Sequence, residues 1–225
     1  QYNLLVDAQQ IAEGEFNYTT TLTLPNGEMV VNATREVERR MEDTRQILAI
    51  RTDSRTPMGQ LSDRYVLDGT SLRPVRRRIE QGPSTVSVEF ETSEVSGTIE
   101  MNGNEIPINI ELEAPVFGGD AGLEMALAGL ELRDGLRTNI RIAVVGAQQR
   151  VRYYRAEVSG PEAVEVLEGR FEVYRIDLNA IDGEGGDQTY WIKADAPRHT
   201  VKIEGQLPPE MGGGQFVTEL GAPVD

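Results

Sequence analysis

Between Glu94 and Leu112 the chain alternates almost residue by residue between apolar and polar, and an Asn-Gly pair folds the pattern in half. Val95, Gly97, Ile99 and Met101 alternate with Glu94, Ser96, Thr98 and Glu100. After Asn102-Gly103 the alternation resumes, with Ile106, Ile108, Ile110 and Leu112 set against Glu105, Pro107, Asn109 and Glu111. Successive side chains of a strand point to opposite faces, so the segment reads as a hairpin with one dry and one wet face. Asn-Gly suits the two positive-φ positions of a tight hairpin turn. This commits the chain to antiparallel sheet, and every such strand needs cover on one side only.

The same texture runs through most of the sequence. Strands are expected at Glu15–Leu24, Met29–Glu38 and Thr44–Thr52, with Arg39–Asp43 as the turn before the third. Arg64–Leu67, Leu72–Glu80 and Val86–Phe90 follow, with Asp68-Gly69 and Gln81-Gly82-Pro83 as turns. Further strands are expected at Thr138–Val145, Arg150–Ser159, Glu168–Leu178, Gln188–Lys193, His199–Glu204 and Gln215–Leu220. Two segments break the pattern. Residues 3–13 place Leu4, Leu5, Ala8 and Ile11 on one helical face behind Asn3. In residues 115–134, Asp120 could cap a helix through Leu130, with Leu123, Leu127 and Leu130 at helical spacing. Gly122 and Gly129 weaken that helix.

About a dozen half-apolar strands therefore share one or two short helices. A flat sheet with so little cover would expose more apolar surface than soluble chains tolerate. The expected fold is all-β, with residues 1–225 as a single β-rich domain. Its form is a strongly curved antiparallel sheet or incomplete up-and-down barrel, and the 115–134 segment lies over it. Such a curl can leave a cavity for a small ligand, or can be filled by residues 121–130 and by Phe and Tyr side chains.

Composition narrows the partners. Lys and Arg number 22 against 37 Asp and Glu, a net charge of −15, which opposes nucleic acid and simple docking on anionic lipid. The chain has no cysteine, so disulfides, thiolate metal sites and cysteine nucleophiles are excluded. No apolar run approaches the roughly 20 residues of a transmembrane helix. The chain starts at Gln1 rather than Met, as a mature or trimmed product would.

Few residues point to chemistry. His199 is the lone histidine, and no Gly-x-Ser-x-Gly elbow accompanies it, so a catalytic triad has little to build on. Asp182, Glu184 and Asp187 sit among glycines as oxygen ligands suited to Ca²⁺, but their spacing is not that of a hand-type loop, and a solvated hairpin tip fits them as well. Arg76 and Arg78 share one strand face and Arg77 the other. Together they could clamp an anion, or pair across strands with the abundant Glu. Tyr154, Tyr174, Tyr190 and Trp191 concentrate aromatics in the C-terminal half, where they could line a pocket or pack a core.

Several stretches carry a resemblance. Gly160-Pro161-Glu162 through Gly169-Arg170-Phe171-Glu172-Val173-Tyr174-Arg175-Ile176, then Gln188–Lys193 and the Asp195-Ala196-Pro197-Arg198 corner running on to Glu204, are similar to themes of a bacterial exported family. Leu72-Arg73-Pro74-Val75-Arg76-Arg77 matches another of its themes. It is the domain-of-unknown-function family three-one-zero-eight. The resemblance implies a curved antiparallel sheet akin to the half-barrels of periplasmic lipoprotein carriers. It also implies a periplasmic, outer-envelope or secreted location and no established catalytic residues. The acidic hairpin Glu94–Glu113 departs from a typical member.

The function expected from these readings is a non-enzymatic exported protein, without cofactor or metal, holding an apolar or amphipathic small molecule in the curve of its sheet. Trp191, Tyr190, Tyr174, Tyr154, Arg76 and Arg78 are the candidate ligand contacts. The alternative is a structural or interaction module that meets an envelope protein through a sheet edge or rim. A hydrolase is the third reading.

Overall fold

The computed structural model describes residues 5–57, 59–145, 149–181, 186–207 and 213–221. Among them, fifteen strands form one sheet in which nearly every strand lies beside its sequence neighbours. One arm is a meander of β1 (Gly14–Leu24), β2 (Gly27–Glu42), β3 (Arg45–Thr56), β4 (Gly59–Asp68), β5 (Pro74–Gln81), β6 (Ser84–Phe90), β7 (Glu94–Met101) and β8 (Asn104–Glu111). The other runs from β9 (Phe117–Gly118) through β10 (Arg137–Val144), β11 (Arg150–Val166), β12 (Gly169–Ala180), β13 (Gln188–Lys193) and β14 (Thr200–Gln206) to β15 (Gln215–Leu220). Antiparallel pairing of β1 with β15 joins the arms mid-sheet, and β9 adds a short parallel pairing to β10.

The expected curved, incomplete barrel is the form adopted. The ladder is open between β8 and β9, and side chains bridge the gap. Val88, Val95, Ile108 and Ile110 of one arm pack with Val116 and Ala143 of the other. Gln149 fastens the edge. Its side-chain amide donates to the Pro107 carbonyl at 3.0 Å, and its side-chain oxygen accepts from the Asn109 N–H at 3.3 Å. One carboxamide thus supplies the donor and the acceptor that a neighbouring strand would offer. Pro107, with no N–H to leave unpaired, suits such an edge.

The Asn102-Gly103 hairpin falls in the expected register, with Met101 opposite Asn104 and φ of 53° and 81° at the two turn residues. Other boundaries need correction. Arg39–Asp43 is not a turn; β2 continues to Glu42, because Arg39 faces inward and is held by Glu13 and the Ala8 carbonyl. Gly160-Pro161 does not end its strand; β11 passes through a bulge there and runs on to Val166. In the described part of 3–13 the expected helix shrinks to a 3-10 turn, Ala8–Gln10. Asp7 caps that turn, and the flanking Val6 and Ile11 are instead drawn into bridges with Leu130 and Arg198.

Of the two places expected for the 115–134 segment, over the sheet or filling the curl, residues 121–128 take the second. Helix α1 (Ala121–Ala128) packs against β4, β9 and β13, which belong to opposite arms, and all eight of its residues are buried. Its sequence, Ala-Gly-Leu-Glu-Met-Ala-Leu-Ala, has no wet face, as expected of a helix enclosed on all sides. Around it Leu48, Ile50, Tyr65 and Leu67 meet Ile140, Ile176, Leu178 and Ile192 in one core. Small residues bring helix and sheet close. A Cβ on Gly118 would overlap the Tyr65 hydroxyl, and one on Gly122 would lie 3.1 Å from the same ring.

Candidate functional site

Two paired clusters of charge stand at the inner face of the curl. Arg35 of β2 makes a bidentate ion pair with Glu124 of α1, at 2.6 and 3.0 Å, and its guanidinium lies 4.9 Å from the Tyr18 ring centre. Arg77 of β5 makes another with Asp63 of β4, at 3.0 and 2.7 Å, reaches Asp120 at 2.7 Å and covers the Tyr65 ring at 5.0 Å. Asp120 stands before α1 at φ 50°, yet it makes no side-chain cap. Its carboxylate goes to Arg77, which holds it below the usual carboxylate range. Burial pushes the Tyr65 phenol up. These two clasps tie the first turn of α1 to the sheet.

The other face of the same strands is different. In register across β3, β4 and β5 stand Arg51, Arg64 and Arg78, and in the next row Ala49, Val66 and Arg76. With Glu36, Glu38, Arg40 and Glu89 they line a cleft of about 610 Å³, beneath which lie Ile50, Tyr65, Arg77 and Val88. Strand parity explains the sorting: Arg77 turns to the core while Arg76 and Arg78 turn to solvent. Most of the outward arginines have acidic partners: Arg76 with Glu42 at 2.7 Å, Arg78 with Glu80 at 2.8 Å, Arg51 with Asp53 at 2.7 Å and Arg40 with Glu38 at 3.6 Å. Arg64 is exposed, and among the described residues it has no ion pair.

The aromatic candidates do not join this groove. Tyr154 and Tyr190 lie in the main core, with Tyr174 packed against it, and the Tyr190 hydroxyl donates to Gln188 at 2.6 Å. Trp191 belongs to a second core with Tyr18, Val166, Val173, Val201 and Leu220. Its indole N–H donates to Glu162 at 3.0 Å, and Lys202 and Arg175 lie 5.1 and 5.9 Å from its ring. The candidate ligand set is thus divided among two packed cores and one outer cleft. Asp182 and Glu184 lie outside the described residues, and Asp187 accepts from the Ala180 N–H at 3.3 Å. No group of three or more metal-ligating side chains occurs among the described residues.

His199 sits between Phe16 and Phe171, with ring centres 5.0 and 6.2 Å away. Neither of its ring nitrogens has a hydrogen-bond partner among the described residues. Burial, with Lys193 nearby, pulls its pKa down to about 4. It carries no carboxylate or hydroxyl relay for acid–base work. Sequence reasoning missed the Arg51–Arg64–Arg78 row. The residues are far apart in the chain, and only the register of β3, β4 and β5 aligns them.

The chain belongs to the family described as "Protein of unknown function (DUF3108)", which matches residues 15–217. Among solved structures it is similar to a β-barrel-like protein of domain of unknown function DUF1849 from Brucella abortus. The identity is 12%, the TM-score 0.53, and the likeness covers 96% of this chain and 98% of that one. The likeness extends to the fold. No curated protein matches. No helix of the described residues is long and apolar enough to cross a membrane.

Proposed function

We propose that this chain is a non-enzymatic binding protein of the bacterial envelope that takes a small amphipathic ligand on the outside of its curl, in the β2–β6 groove. The observation that carries the reading is the position of α1. The helix and its apolar neighbours occupy the centre where an enclosed ligand would lie, while the outer groove combines an apolar floor at Ala49 and Val66 with oriented guanidinium groups. A concave site with a few convergent polar groups is the usual form of a small-molecule site. An envelope location follows the exported character of the family that the sequence resembles.

Native mass spectrometry of protein purified from its bacterial host tests this. The expected result is a small molecule that travels with the wild type and is lost from Ala49→Trp, which fills the groove floor. A molecule retained equally by both variants places the ligand elsewhere, and an empty spectrum from both removes the reading.

A second reading has its own support. Met101 and Ile106, beside the turn of the β7–β8 hairpin, are 47% and 45% exposed on the face that is apolar along its whole length. That tip suits contact with an envelope protein better than contact with water. Met101→Lys together with Ile106→Lys would then abolish co-purification of such a partner without lowering Tm.

A further inference from the structure

Arg51, Arg64 and Arg78, on the wall of the groove, are direct cross-strand neighbours on three adjacent strands. Like charges facing one another across strands oppose sheet formation. Here three occur in a row on a chain of net charge −15. Arg51 and Arg78 relieve the repulsion by turning along their own strands, to Asp53 and Glu80 two residues on. The Arg64 guanidinium, between them, stays exposed and without an ion pair among the described residues. A guanidinium presents a planar fork of donors that matches the oxygens of a phosphate or carboxylate. Strand spacing sets the three arginines at steps of about 4.8 Å, so one tetrahedral oxyanion above Arg64 lies within reach of both neighbours. Beside this row, Ala49 and Val66 give the groove an apolar floor, closed at its far side by Arg40 and Arg76.

Taking the groove as the ligand site proposed above, on which the assignment rests, we infer that it binds an alkyl phosphate: the phosphate sits on Arg64 between Arg51 and Arg78, and the aliphatic stem lies over Ala49 and Val66. The oxyanion completes the row by giving its middle member a direct ion-pair partner, where Glu80 acts on Arg64 only at longer range. The stem covers the half-buried Ala49 beside the already buried Val66. The same chemistry occurs in a soluble phosphate ester and in the headgroup region of an anionic lipid.

Isothermal titration calorimetry with the full chain tests the inference, using inorganic phosphate, hexyl phosphate and hexanol on the wild type, Arg64→Gln and Ala49→Trp. Arg64 is exposed, so Arg64→Gln is expected to melt with the wild type, and a coincident melt is the check on folding. The expected result is hexyl phosphate binding at least tenfold tighter than inorganic phosphate, no heat from hexanol, and a tenfold or greater loss in Arg64→Gln. Equal binding of hexanol and hexyl phosphate, unaffected by Arg64→Gln but blocked by Ala49→Trp, would overturn the phosphate and leave the groove in place. Binding that neither substitution alters, or no binding of any probe, overturns both. Vesicles containing phosphatidylglycerol then separate the sources. Binding that is sensitive to Arg64→Gln assigns a lipid, and its absence alongside hexyl phosphate binding assigns a soluble ester.

Discussion

Arg77 and its neighbours Arg76 and Arg78 are the same residue type on the same strand, yet they live in different solvents. Arg77 is enclosed with Asp63, each side chain 11% exposed, and reaches from there to the exposed Asp120. Arg78 is 52% exposed, and its partner Glu80 is 42% exposed. Inside the curl, taking a charge from water is offset only by a fully formed partner set, so removing one member leaves a stranded ion. Outside, water does most of the work and the partner is replaceable. The inner arginine therefore serves the architecture, and the outer ones are free to serve a ligand.

Substitutions that remove one member from each side would break this contrast if it is wrong. The largest effect is expected for Arg77→Ala, which leaves Asp63 buried without its partner, at about 3–5 kcal/mol. That is a large part of the stability of an ordinary domain and corresponds to a Tm lower by roughly 10 °C in a thermal melt. Glu124→Ala strands Arg35 beneath α1, and its loss, about 3 kcal/mol, is read in a urea titration. A result near zero for both would mean that the clasps are solvated. Gly118→Ala tests close approach without touching charge. The added methyl must displace Tyr65, at about 2 kcal/mol.

His199 sharpens the contrast through pH. Unfolded, it takes up a proton near its ordinary value of about 6.5, whereas folded it stays neutral down to about 4. The unfolded chain therefore binds more protons between those values, and stability falls as pH drops from about 6.5 toward 4. His199→Phe removes that part of the decline, about 1–2 kcal/mol after allowing for partial exposure, as measured by melts at successive pH values. The smallest effect belongs to Arg78→Ala, within about 0.5 kcal/mol of wild type. A loss as large as that of Arg77→Ala would erase the distinction between the two faces.

Local rules in the sequence reached the fold further than the site. The two-residue period and Asn102-Gly103 placed β7 and β8 in their true register, because hairpin pairing is decided by neighbours. The same parity separated Arg77 from Arg76 and Arg78. The long-range pairs were hidden. Nothing near Glu124 announces Arg35, which lies 89 residues away. Nothing near Arg64 announces that Arg51 and Arg78 will flank it. The helix expected over 3–13 was a misreading of apolar spacing. Its described residues find better partners in Leu130 and Arg198 than in each other. The strand expected to end at Ser159 runs on, because a bulge absorbs Gly160 and Pro161 without ending the pairing of β11 and β12.

The seam between the two arms is the first strand held against the last, β1 against β15. During synthesis each arm can zip by short hairpins as it emerges, but the central rung of the ladder has no partner until the ribosome has delivered residues 215–220. Until then β1 presents an unpaired edge in the middle of what will become a continuous surface. The newborn chain thus leaves open to mispairing a strand that ends up paired on both sides.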